Sequence, residues 1–203
     1  MKDIFEKKIL IKGSGDITDS KQFFDFVIEK AGTTFGKYLV VICGGGTKIS
    51  AALKKAGYTI EFDSMNRRVL HSLEERAIME SVLIHEQTEL LNKFVKAGIV
   101  NVSVIPPLLH AGSVMCPING DDLVKACSLG FDEIYILTKP ERVMSKHYVF
   151  SGYPNIKIVG IDTGEPISFC SCKIPKKYWA GDKYICRVCS KIIQNPIIFY
   201  PGE

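Results

Sequence analysis

Five short runs of this chain, at 7–12 (KKILIK), 37–43 (KYLVVIC), 99–105 (IVNVSVI), 132–138 (DEIYILT) and 156–161 (IKIVGI), are rich in apolar residues. A strand with one wet face alternates apolar and polar residues. A continuous run such as KYLVVIC belongs to a strand covered on both faces, as in a parallel sheet. The stretches between the runs carry helical signals. Residues 19–32 place Phe23, Phe24, Val27 and Ile28 on one stripe, with Asp19 or Ser20 to cap the start and Gly32 to end it. Thr47 through Ala56 continues from Gly44-Gly45-Gly46 as a second helix. Residues 64–97, free of Gly and Pro until the end, predict one long helix, or two with a break near His85. Residues 120–130 open on Gly120-Asp121-Asp122 and close at Gly130. Strands alternating with helices predict a doubly wound α/β sheet.

With 203 residues, 46% hydrophobic and 24% charged, the chain can bury a full core. Its net charge of +4 is spread along the sequence and does not call for a nucleic-acid partner. No apolar run reaches the ~18 residues of a membrane helix, and the start does not read as a signal peptide. The expectation is a cytoplasmic protein whose cysteines are thiols or metal ligands. From about Pro166 cysteine, proline and lysine dominate. We therefore expect an α/β domain over 1–165 and a small cysteine module over 166–203.

Two strand–glycine–helix junctions stand out, Lys12-Gly13-Ser14-Gly15 and Cys43-Gly44-Gly45-Gly46. Glycines there let the backbone approach a phosphate, and a helix start offers unpaired N–H groups. Tight connections in any α/β fold look the same, and neither junction matches a Walker A or dinucleotide fingerprint. A third element, Pro117-Ile118-Asn119-Gly120-Asp121-Asp122-Leu123, puts two carboxylates at a helix start. They suit a lysine or a metal ion beside phosphates, or simple capping.

In that order, IKGSGDIT, VVICGGG and INGDDL…FDEIYILTK resemble three segments of the amino acid kinase family, uridylate and isopentenyl phosphate kinases above all. The resemblance covers about residues 7–143. It implies a three-layer α/β/α sandwich and transfer of the γ-phosphoryl of ATP, with Mg2+, to a carboxylate, carbamate or phosphate on a small anionic substrate. It assigns Lys12 to the transferred phosphoryl group and Asp121 to orienting the catalytic lysine. It sets Gly13, Ser14 and Gly15 on the nucleotide phosphates, Gly44, Gly45 and Gly46 on the acceptor side, and Thr138 and Lys139 near the nucleotide. Where the family continues x-D-G-V-Y, this chain has Pro140-Glu141-Arg142-Val143-Met144, with arginine in place of glycine. The stretch before the cysteines is also shorter than the family's nucleotide lobe. That departure favours a ligand sensor as the alternative reading. Lys146 and Lys157 are both candidates for a second phosphate lysine. Arg67 and Arg68, expected near a helix start, face either the second glycine turn or solvent.

Cys170-Ser171-Cys172 and Cys186-Arg187-Val188-Cys189 place four thiols within twenty residues. Two close pairs flanking a hairpin suit tetrahedral thiolate coordination, so we expect one structural Zn2+. Lys173, Lys176, Lys177, Tyr178 and Trp179 beside them also suit an interaction module. Cys43, Cys116 and Cys127 read as packing residues, and His110 as a loop residue near the site. The apolar content of 64–97 (Val69, Leu73, Ala77, Val82, Leu83, Leu90, Leu91, Phe94) predicts a homo-oligomer.

Overall fold

The computed structural model describes residues 7–15, 17–32, 37–64, 67–111, 114–161, 177–180 and 183–186. A five-stranded, all-parallel sheet holds β1 (Lys7–Gly13), β2 (Lys37–Ile42), β5 (Val102–Ile105), β8 (Glu133–Thr138) and β9 (Ile156–Gly160) in the order β5-β2-β1-β8-β9. Its register sets Lys12 beside Ile42 on one side and Ile136 on the other. All five expected strands are present. The run at 99–105 starts late, because Gly98 turns the chain at φ 77° before Val102 can join β2.

The continuous apolar runs have the expected cause. Ile9, Ile11, Leu39, Val41, Tyr135 and Leu137 pack on one face against α1 (Lys21–Ala31) and α3 (Leu73–Lys96), through Phe23, Phe26, Leu90 and Phe94. Leu10, Val40, Ile42, Ile134 and Ile136 pack on the other against α4 (Gly120–Cys127) and α5 (Val143–Val149), through Val124, Val143 and Phe150. Each such side chain contributes about 1.5–3 kcal/mol by leaving water. Helix α2 (Gly46–Lys55) joins α3 through Ile49, Leu53 and Leu83. Ser20, rather than Asp19, caps α1, accepting the Phe23 N–H.

The stretch 64–97 departs from expectation. Near its start β4 (Arg68–Val69) pairs antiparallel with β3 (Glu61–Phe62), which lies just before the stretch. The helix begins only at Leu73, where Ser72 and Glu75 form a reciprocal capping box worth about 1 kcal/mol. It then runs unbroken past His85. A second hairpin, β6 (Leu108–Ala111) with β7 (Val114–Pro117), and the helix α5 were not anticipated. At the β5 edge, the Gln87 side-chain amide of α3 donates to the Val104 carbonyl at 2.8 Å. No helix among the described residues is long and apolar enough to cross a membrane.

A separate antiparallel pair, β10 (Lys177–Ala180) with β11 (Lys183–Cys186), sets Lys177 opposite Cys186. Cys170, Cys172 and Cys189, and the expected boundary at 165, lie outside the described residues.

Candidate functional site

The chain builds its sheet outward from β1 through β2 to β5, then returns across β1 to add β8 and β9. Where a parallel sheet reverses its order of assembly, the connections leave the strand ends on opposite faces and a crevice opens between them. Here that point is the carboxyl ends of β1 and β8. Lys12, Gly13 and Ser14 stand at the end of β1 and Thr138 at the end of β8. The Ser14 N–H donates to the Leu137 carbonyl at 3.1 Å, and its hydroxyl donates to Thr138 Oγ1 at 3.3 Å. Thr138 is fully buried and braces the first glycine turn, while neither it nor Lys139 lines the cleft.

The two glycine turns are in backbone contact. A Cβ built on Gly15 would lie 2.5 Å from the Gly46 nitrogen and 3.0 Å from the Gly44 carbonyl carbon, so glycine is required by proximity rather than by backbone angle. Helix α2 starts directly from the second turn, and its N-cap residue, Gly45, has no side chain with which to cap the first N–H groups. Gly13, Ser14, Gly15, Gly44, Gly45 and Gly46 all border one cleft of about 1140 Å³.

At its floor, Lys12 Nζ donates to Asp121 Oδ1 at 2.8 Å, with only 9% of the lysine side chain exposed. Lys146, on α5, pairs with the other oxygen, Oδ2. Capping does not explain Asp121, because the Asn119 side chain fills that role and accepts the Asp121 N–H at 2.8 Å. Burial pushes the Asp121 carboxyl up, but the Lys12 and Lys146 ammoniums outweigh it and hold it at about 2. The carboxylate is therefore a brace for two cations and a poor base at neutral pH.

Of the two candidates for a second lysine, Lys146 reaches Asp121. Lys157 pairs instead with Glu133 at 3.2 Å, at the opposite end of β8. The choice depends on the 3-10 turn at Pro140–Arg142, which folds α5 back over the strand end. Arg67 and Arg68 lie on the β3–β4 hairpin, and Arg68 faces the second glycine turn at the start of α2. Arg68 donates to the Gly46 carbonyl at 3.0 Å and to Ser50 Oγ at 2.6 Å, and its guanidinium stacks 5.4 Å from the Phe62 ring. Its buried Nε has no partner among the described residues. Arg67 is held by Asp63 at 2.8 Å. Among the described residues, Lys12, Lys54, Arg67, Arg68, Arg142 and Lys146 line the cleft against three carboxylates, so the field of these residues favours an anion. His110 is exposed on β6 and does not border it. Cys43 is buried beside the second turn, and burial drives its thiol up to about 12, which makes it inert.

No family model and no curated protein matches the chain. Among solved structures, the crystal structure of N-acetylglutamate synthase from Neisseria gonorrhoeae complexed with coenzyme A and L-arginine is similar at a TM-score of 0.48 and 12% identity. The match covers 76% of this chain and 56% of that one, so this chain spans little more than half of its length.

Proposed function

We propose that this protein is an ATP-dependent phosphotransferase of the amino acid kinase type, acting on a small anionic acceptor. The observation that carries the reading is the Lys12–Asp121–Lys146 triad at the sheet's reversal point, beside two touching glycine turns. ATP supplies the γ-phosphoryl group. An acceptor oxygen forms the new bond to phosphorus, the bond to the β,γ-bridging oxygen breaks, and ADP leaves. The residues of this chain contribute position and charge. Lys12 and Lys146 neutralise the oxygens of the group in transit, and Asp121 keeps both ammoniums in place. The N–H groups of the glycine turns and of the α2 start solvate phosphate oxygens. Arg68 offers its Nε to the anionic acceptor.

Both Asp121 oxygens already accept from ammoniums, and no cluster of three His, Cys, Asp or Glu side chains among the described residues suits a metal. Mg2+ would accordingly arrive on the nucleotide phosphates. Calorimetry with ATP and Mg2+, followed by ATP consumption against phosphate, carboxylate and carbamate acceptors, tests the reading. Arg142 borders the cleft where the resemblance leads one to expect glycine, which favours the alternative of a ligand sensor. Binding without consumption supports the sensor, and no binding removes the kinase reading.

We also propose a structural Zn2+ on Cys170, Cys172, Cys186 and Cys189. The β10–β11 register supports it, since Lys177 lies opposite Cys186 and the chain enters and leaves the hairpin at the same end. Elemental analysis of the purified protein is expected to give one equivalent per chain, lost in Cys186→Ser. Protein purified without chelators that holds no zinc would refute the assignment.

For assembly we propose a homodimer. Leu73, Ile84, Leu91 and Val95 form an exposed apolar stripe along α3, whereas Leu83, Leu90 and Phe94 are spent on the core. Light scattering is expected to give twice the chain mass, falling to one in Leu91→Glu. A monomer mass for the wild type would contradict this.

A further inference from the structure

Lys48 follows the second glycine turn, in Gly44-Gly45-Gly46-Thr47-Lys48, where a sequence reader looks for a phosphate lysine. Helix α2 turns it away. Thr47, Ile49 and Ser50 line the cleft and Lys48 does not. Its ammonium instead bridges Asp19 at 2.7 Å and Glu86 at 2.5 Å. Asp19 also accepts from Lys93 at 2.7 Å. Two cations and two carboxylates from three elements close a neutral quartet: the loop after the first glycine turn, helix α2, and helix α3.

The quartet sits where it acts on both turns at once. Asp19 follows Thr18, a residue 3% exposed whose methyl packs against Gly13; a Cβ on Gly13 would lie 2.7 Å from it. The Ile17 N–H donates to the Ser14 carbonyl and the Ser20 N–H to the Ile17 carbonyl, both at 2.9 Å, and these bonds tie Asp19 to the first glycine turn. On the other side, Lys48 is two residues beyond Gly46, whose backbone touches Gly15. Glu86 is the anchor. Only 8% of its side chain is exposed, and a buried carboxylate without its cation is costly. The Lys93–Asp19 pair alone, exposed on both sides, would hold little.

We infer that the Asp19–Lys48–Glu86–Lys93 quartet clamps the two glycine turns together from outside the cleft, making Lys48 a positioning residue for the phosphate site. The consequence for binding rests on the function proposed above, whereas the clamp itself is read without ligand.

Hydrogen exchange on the ligand-free protein is the primary test. The Ser14 and Ile49 amides, bonded to the Leu137 and Gly45 carbonyls, report on the two turns. In Lys48→Met both are expected to exchange roughly tenfold faster, with the amides of β2 unchanged. Lys48→Arg should restore protection. Lys21→Met removes the exposed Lys21–Asp25 pair and should change nothing. Glu86→Gln, which keeps the shape and removes the charge, should reproduce Lys48→Met if the latter folds poorly. Unchanged turn amides, or acceleration spread evenly over the chain, would overturn the inference. Calorimetry with ATP and Mg2+ adds the functional arm, a roughly tenfold weaker affinity in Lys48→Met. If the wild type binds no ATP, the kinase reading fails, and the exchange data still decide the clamp.

Discussion

Lys12→Ala and Asp121→Asn are each expected to lower turnover ~100-fold or more, the usual cost of removing a group aimed at transition-state charge. Their effects on stability should differ. Without Lys12, Asp121 keeps Lys146 as a partner. Without the Asp121 charge, two ammoniums face each other in a part-buried site, and the loss should approach the ~3–5 kcal/mol of a broken buried pair. The pH dependence gives an independent check. The Asp121 carboxyl is held at about 2, below its ordinary 3.8. A depressed carboxyl contributes stability above its unfolded value and loses it as pH falls through the folded one. The contribution, about 2 kcal/mol, is therefore present above pH ~4 and gone near pH ~2. Over that window the stability gap between wild type and Asp121→Asn, read from urea midpoints, should narrow by about 2 kcal/mol. Glu133, also held at about 2, where burial is outweighed by Lys7, Tyr135 and Lys157, stays in both proteins and cancels. Near-full activity in both variants, or a stability gap that ignores pH, would dismiss the role given to this triad.

Gly15→Ala should be the most damaging single methyl in the molecule. Its Cβ would meet the Gly46 nitrogen at 2.5 Å and the Gly44 backbone beyond it. Neither contact belongs to a side chain that can rotate away. The strands leading into the two turns are fixed in register, Lys12 against Ile42. The turns must part, and the cleft floor opens with them. We expect a loss of about 1–3 kcal/mol, as for other overpacked sites, together with ATP affinity weakened more than ~10-fold. Gly130→Ala is the control, because no atom of the described residues lies within 4 Å of its added Cβ. Thermal midpoints and calorimetry compare the two. Indistinguishable variants would mean that the turns tolerate separation.

The sheet was readable because burial on both faces leaves an uninterrupted apolar run, and KYLVVIC has no other easy explanation. The hairpin at 61–69 was not. Its strands are two residues long, too short for alternation to register, and Arg67, Arg68, Val69 and Leu70 fit a helical pattern equally well. Only Ser72 followed by Glu75 signalled where the helix begins. At the site, Lys12, Asp121 and the glycines were legible from their places at strand and helix ends. Lys146 could not be separated from Lys157 by spacing, since the decision is made by a 3-10 turn that reverses the chain. Thr138 was expected beside the nucleotide and lies beneath the turn, its hydroxyl taken by Ser14. Lys48 shows the converse error available to a motif reader, a lysine after glycines that serves the scaffold.

The amide of Gln87 has a consequence for how copies of this protein meet in a crowded solution. A β-sheet margin invites another chain to lie along it, because its outward carbonyls and N–H groups seek partners. On the β5 margin the Val104 carbonyl already receives Gln87, and α3 lies alongside. A stray strand would have to displace the Gln87 amide before it could pair with that carbonyl. At that carbonyl the margin is closed to templated, fibril-like growth, and the residue that closes it belongs to the same helix that displays the apolar stripe.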